Sequence, residues 1–259
     1  MTGKKEALTV IKVGGKIVEE EDSLKKLLDD FSRLEGYKVL VHGGGRSATA
    51  MASRLGLETK MVGGRRVTDL EMLKVVTMVY GGLVNKNIVS QLQARKLNAL
   101  GLTGADLDVI RSHRREVKDV DYGYVGDVDF LNVDLLSMLI RQGVVPVLAP
   151  LTHDGKGCLL NTNADTIAQE IAVALAQEFD VTLTYCFEKK GVLMNPEDED
   201  SVIRDISKEK FAQLVSDGIV QDGMIPKLEN AFRALDRGVG KVVITSATSF
   251  LEDEGTVIR

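Results

Sequence analysis

The stretch Val39-Leu40-Val41-His42-Gly43-Gly44-Gly45-Arg46 restricts this chain more than any other. Its first four residues read as a buried strand, the next three are bare backbone, and a helix follows at once. A parallel strand feeding a helix this way points several N–H groups at one place, and such a place binds anions. Glycine can serve here merely to relieve a tight turn. Three in succession after an apolar strand favour close approach of a ligand to the backbone.

A second junction of this kind lies near the N-terminus. Leu8 to Val13 is apolar and β-branched, interrupted only by Lys12, and Gly14-Gly15 ends it. Leu24, Leu27, Leu28, Phe31 and Leu34 then recur at helical spacing, with Asp22 or Ser23 as the expected cap and Gly36 as the stop. The order βαβα predicts a three-layer αβα sandwich around a mainly parallel sheet. Further strands are expected at Ala99–Thr103, Val144–Leu148, Val181–Phe187 and Val242–Thr245, with Thr256–Ile258 as an edge strand. Helices are expected over Asp69–Lys96, broken near Gly81-Gly82, and around Leu135–Ile140, Ile167–Leu175, Phe211–Val215 and Ile225–Leu235. Thr59 to Val67 reads as a short hairpin or irregular arm, and His153 to Gly157 as a hairpin turn.

At 259 residues the chain suits one large α/β domain, here with two lobes on a continuous sheet, 1–178 and 179–259. No apolar run reaches the ~18 residues of a membrane helix, and the N-terminus does not read as a signal peptide. A net charge of −5 counts against a nucleic-acid surface. Cys158 and Cys186 lie far apart and suit free thiols in a reducing, cytoplasmic setting. His42, His113 and His153 show no zinc spacing, so no metal ligands are expected on the protein.

Four positions stand out chemically. Lys12 sits inside an apolar strand. Its amine either reaches water at the strand end or meets an anion held over Gly14-Gly15. Arg66, in Gly63-Gly64-Arg65-Arg66, is either part of an exposed basic loop or a fork for a carboxylate. Asn161, Asn163 and Asp165 alternate into the start of an apolar helix. There Asp165 either caps the helix or holds lysines by charge. Lys227 follows Asp222-Gly223-Met224-Ile225-Pro226, inside a first helical turn where its charge opposes the dipole unless it faces an anion.

Common motifs fail. No Gly-x4-Gly-Lys-Ser/Thr occurs. Gly43-x-Gly45-x-x-Ala48 fits the relaxed dinucleotide pattern, but about 20 residues on, where an acidic residue belongs, the chain has Gly63-Gly64-Arg65-Arg66. His-Gly-Gly-Gly can build a lipase oxyanion hole, yet no Gly-x-Ser-x-Gly elbow is present.

Together, Ile11-Lys12-Val13-Gly14-Gly15, Val41-His42-Gly43-Gly44-Gly45, Gly64-Arg65-Arg66-Val67-Thr68, Leu160-Asn161-Thr162-Asn163-Ala164-Asp165 and Asp222-Gly223-Met224-Ile225-Pro226-Lys227 resemble the amino-acid kinase family. The first two segments alone would fit several of its branches. The last three are similar to the branch that phosphorylates N-acetylglutamate. The resemblance spans almost the whole chain. It implies phosphoryl transfer from ATP, with Mg²⁺ carried on the phosphates, to the γ-carboxylate of an N-acyl-glutamate in arginine biosynthesis.

By the same resemblance, Lys12 and Lys227 stabilise the phosphoryl group and Asp165 orients both. Gly44, Gly45, Arg66 and Asn161 hold the acyl-amino acid. Gly14, Gly15, Glu188, Gly191, Val192 and Leu193 meet the nucleotide and its phosphates. Cys186-Phe187-Glu188-Lys189-Lys190-Gly191 departs from the small residues and Asp usual there, with a longer acid and two bulkier lysines. The family's long N-terminal helix, which accompanies arginine-inhibited hexamers, does not precede the first strand, so an arginine-insensitive homodimer is expected. An N-succinyl substrate, a dinucleotide-dependent oxidoreductase and a non-catalytic amino-acid sensor stand as alternatives. Retention of Lys12, Asp165 and Lys227 counts against the sensor.

Overall fold

Alternation along the first strand sets the layers. Leu8 and Val10 pack into one apolar cluster, and Ile11 and Val13 into another on the opposite face. The same happens in the next strand, where Val39 and Val41 face one way and Leu40 the other. A strand that is apolar on both faces needs helices on both sides. A computed structural model, describing residues 4–220, 224–247, 249–251 and 254–259, shows that arrangement.

The chain opens β1 (Glu6–Val13), α1 (Gly15–Glu19), α2 (Glu21–Arg33), β2 (Tyr37–His42) and α3 (Gly45–Arg54). A hairpin of β3 (Met61–Val62) and β4 (Arg65–Arg66) follows. Next come α4 (Leu70–Val76), a π-helical stretch over Thr77–Val84, α5 (Asn85–Ala94) and β5 (Ala99–Leu102). β6 (Ile110–Arg114), β7 (Gly126–Leu131), α6 (Val133–Arg141), β8 (Val145–Leu148), β9 (Leu151–His153) and β10 (Leu159–Asn161) make up the middle. The remainder is α7 (Ala164–Leu175), β11 (Phe179–Phe187), β12 (Asp205–Ile206), α8 (Lys208–Ser216), α9 (Ile225–Asp236), β13 (Lys241–Ser246) and β14 (Thr256–Ile258).

The main sheet has eight strands in the order β12-β14-β13-β11-β1-β2-β8-β5. From β13 to β5 every pair is parallel, whereas β14 runs antiparallel to β13. Residues of α2, α3, α4 and α5 cover one face, and residues of α6, α7, α8 and α9 the other. Leu27, Leu28 and Phe31 of α2 are fully buried. Each such side chain contributes about 1.5–3 kcal/mol relative to exposure. A smaller sheet, β10-β9-β6-β7, carries Asn161 to the start of α7.

Three expectations are corrected. Helix α2 starts at Glu21, and neither Asp22 nor Ser23 caps it. The short α1 delivers the chain at Glu20, so Asp22 falls in the first turn, where its charge suits the dipole. Gly81-Gly82 does not break the helix; the chain widens into π geometry there and continues. Thr256–Ile258 is not an edge strand, because β12 pairs outside it.

Candidate active site

The site forms at the carboxyl ends of β1, β2 and β11, where parallel sheets place their ligands. Val13 lies level with His42 and with Cys186. The last ladder bonds tie the two glycine turns to these strands: Gly14 N donates to Cys186 O at 3.2 Å and Gly43 N to Val13 O at 3.1 Å. The turns then face each other. A Cβ on Gly15 would come within 3.5 Å of the Gly44 and Gly45 nitrogens. A Cβ on Gly44 would meet the Tyr80 ring at 2.9 Å, so the π-helical stretch packs directly under the turn. Helix α3 begins at Gly45.

Lys12 continues the face of Leu8 and Val10, which is the face α7 covers. Lys12 is only 7 % exposed, and its ammonium lies 2.8 Å from Asp165 Oδ1. The contact is an ion pair without the alignment of a hydrogen bond. Asp165 is free to make it because Asn163 caps α7, accepting from the backbone N–H groups of Asp165 and Thr166. Lys227 enters from the first turn of α9. Burial lowers its pKa, Asp165 pulls it back up, and Lys12 pushes it down again. The two ammonium groups and the carboxylate therefore share one electrostatic neighbourhood. Both lysines also lie over the ring of Phe187, at 5.1 Å for Lys12 and 4.0 Å for Lys227.

Arg66, on β4, is buried against α3. Its Nη2 donates to Gly45 O at 2.7 Å and to Thr49 Oγ1 at 2.8 Å, and Nη1 donates to Thr59 Oγ1 at 3.3 Å. Asn161 Nδ2 donates to Thr68 Oγ1 at 2.9 Å. Gly43, Gly44, Gly45, Arg66 and Asn161 line a pocket of about 200 Å³. Gly45 and Arg66 also line a larger cleft of about 830 Å³, together with Gly14, Gly15, Phe187, Glu188, Gly191 and Lys227. A small basic pocket thus opens beside a large cleft, with the lysine of α9 at the cleft wall.

Comparison with known proteins places this architecture. Residues 7–246 match the amino acid kinase family. The chain belongs to that family. Acetylglutamate kinase of Phocaeicola vulgatus is 68 % identical over 255 residues, covering 98 % of this chain and 99 % of its own. Acetylglutamate kinase of Bacteroides thetaiotaomicron is 66 % identical, covering 98 % and 99 %. The solved structure of smu.665 from Streptococcus mutans superposes with a TM-score of 0.79 at 30 % identity, covering 97 % and 98 %.

Within this amino acid kinase the other expected positions divide. Glu188 stands at the cleft mouth, 2.9 Å from Lys16 Nζ and 3.7 Å from Arg46 Nη2. Lys189 pairs with Glu199 and Lys190 with Asp200. The Val192 side chain lies in the core, its N–H donates to Thr256 Oγ1, and its carbonyl accepts from Ile203 N–H. Leu193 bridges to Val202 and does not line the cleft. The Asp222-Gly223 part of the motif before Lys227 lies outside the described residues.

Sequence reasoning missed His42 and Phe187. His42 is fully buried, and its Nδ1–H donates to Gly43 O at 2.7 Å while Nε2 accepts from Asn85 Nδ2 at 3.1 Å. These partners assign the neutral tautomer. Burial pushes the pKa down to about 4. The unfolded chain therefore binds a proton that the folded one refuses between pH 6.5 and 4. Stability is fully present above pH 6.5 and declines as pH falls to about 4, by on the order of 3 kcal/mol. Urea unfolding at pH 7, 5.5 and 4.5 should show this loss, and His42→Asn should lack that component. An equal loss in both proteins would refute it. The clue was positional: a histidine closing a buried strand immediately before the glycines.

Proposed function

We propose that this amino acid kinase transfers the γ-phosphoryl group of ATP to the γ-carboxylate of N-acetyl-L-glutamate, giving N-acetyl-L-glutamyl 5-phosphate. The observation that carries this is the Lys12–Asp165 ion pair in one electrostatic neighbourhood with Lys227, which lines the large cleft beside the small basic pocket. The acetylglutamate kinase relatives noted above cover nearly the full chain, which supports the same reaction.

A phosphoryl group in flight spreads negative charge over its equatorial oxygens, so the enzyme's task is positioning and positive potential. Lys12 from β1 and Lys227 from α9 supply the charge. Asp165 keeps them from repelling each other apart and holds Lys12 on its strand. The glycine turns add N–H dipoles. Arg66 grips a carboxylate that does not react, and Asn161 holds the acyl-amino part. The attacking carboxylate is already ionised at neutral pH, with an ordinary pKa of about 4.3, so no general base is required.

Nucleotide contacts fall to Gly14, Gly15, Glu188, Gly191 and the backbone of Val192 and Leu193, and the lobes 1–178 and 179–259 divide acyl-amino acid from nucleotide. Among the described residues no group of three His, Cys, Asp or Glu side chains could hold a metal. The carboxylates of Asp165 and of Glu188 at the cleft are paired with Lys12 and Lys16. This donor set fits Mg²⁺ that takes its oxygens from ATP and water, where it would screen the phosphate charge. A cytoplasmic homodimer completes the proposal; among the described residues no helix is long and apolar enough to cross a membrane.

The test is incubation with MgATP and N-acetyl-L-glutamate, trapping acyl phosphate as the hydroxamate. Colour that requires both substrates is expected. Its absence, with ATP intact, would overturn the assignment.

A further inference from the structure

We infer that Phe187 is a positioning residue that holds the two ammonium groups together through its ring; this rests on the reaction proposed above. The ring closes β11 and lines the cleft. It stacks on Tyr185 with centroids 6.0 Å apart and planes 5° from parallel, which fixes its plane. Lys227 Nζ lies 4.0 Å from its centroid and Lys12 Nζ 5.1 Å, both inside cation–π range.

The need is electrostatic. Two cations meet with one directly paired carboxylate, Asp165; Glu188 acts on Lys227 more weakly and is itself paired with Lys16, so the cluster carries excess positive charge before substrate arrives. A second carboxylate would cancel that excess but would repel the incoming phosphoryl group and compete for the lysines. An aromatic face attracts cations through its quadrupole, bears no net charge and cannot be protonated. It therefore keeps both ammonium groups at the cleft while leaving them available to phosphate oxygens. Lys227 fits this: burial lowers its pKa and Lys12 adds to the lowering, and although Asp165 and Glu188 oppose them the net direction is down, so a further attraction that favours its charged form matters there.

The test places mono-, di- and trifluorophenylalanine at position 187 in the full chain, beside Phe187→Tyr and Phe187→Leu. Fluorine drains the ring quadrupole with little change of shape. Expected is a stepwise fall in kcat, reaching about 5–30-fold for the trifluoro ring, as for a lost cation–π contact. KM for both substrates stays within about 2-fold and Tm is unchanged, since a structural role would not follow ring electronics. Phe187→Tyr retains kcat, and Phe187→Leu matches the trifluoro ring. Without substrate, NMR titration of the Lys227 ammonium shows its pKa falling along the same series.

A kcat that stays flat along the series overturns the inference, as does a change in KM alone. Should the unmodified enzyme fail to phosphorylate N-acetyl-L-glutamate, the reaction fails instead. The lysine titration then decides the role of Phe187 by itself: a falling value supports it and a flat one refutes it.

Discussion

Lys12→Ala and Lys227→Ala are each expected to lower kcat by about 10²–10³-fold, as for other donors aimed at developing charge. KM for N-acetyl-L-glutamate should change only a few-fold, because neither ammonium meets the part of the substrate that stays unchanged. The two variants should differ in stability. Lys12 is buried in the central strand and paired at 2.8 Å with Asp165, so its loss leaves a carboxylate without its partner. Lys227 is half-buried at the start of a surface helix, and its loss should spare the fold. The double variant should lose less than the product of the single effects, since both act on one phosphoryl group. Steady-state kinetics and thermal unfolding check this. Raised KM with intact kcat in either single variant would remove that lysine from the reaction centre.

The second large effect is expected at Arg66. Arg66→Ala should raise KM for N-acetyl-L-glutamate by about 10–150-fold, the equivalent of a lost charged hydrogen bond. Arg66→Lys should rescue little, because a single ammonium cannot replace a planar fork. Arg66 also holds the Gly45 carbonyl at 2.7 Å and Thr49 at 2.8 Å. Its removal loosens the turn that leads into α3, so a smaller loss in kcat should accompany the rise in KM. KM for MgATP should move least. Equal rises for both substrates would show that Arg66 merely shapes the cleft.

Much of this architecture is legible in local pattern. Strands β1 and β2 announce themselves as apolar runs ended by glycine, and Leu24, Leu27, Leu28 and Phe31 define the buried face of α2. Lys12 is conspicuous because a cation inside such a run needs a reason. What escapes notice depends on partners distant in sequence or on geometry with no residue signature. The π-helical turn over Thr77–Val84 resembles an interrupted helix, since glycines mark breaks more often than close packing. The interior place of β14 depends on the pairing of two-residue β12, too short to see beforehand. Val192 follows Gly191 in the chain, but the turn there sends its side chain into the core. Phe187 gains its meaning only when β1 and α9 bring their lysines to it.

The side-chain phase of β1 has a broader consequence. Odd and even positions of this strand go to separate helical layers, and Lys12 occupies the phase that meets α7. A single-residue insertion or deletion within β1, between Leu8 and Lys12, would carry its amine into the oily layer against α2 and expose the proposed reaction centre to an aliphatic side chain. Drift in this segment is thus confined to swaps that preserve its length. On the proposed role of Lys12, the spacing that keeps the protein folded is also what keeps it able to react, and neither can be relaxed alone.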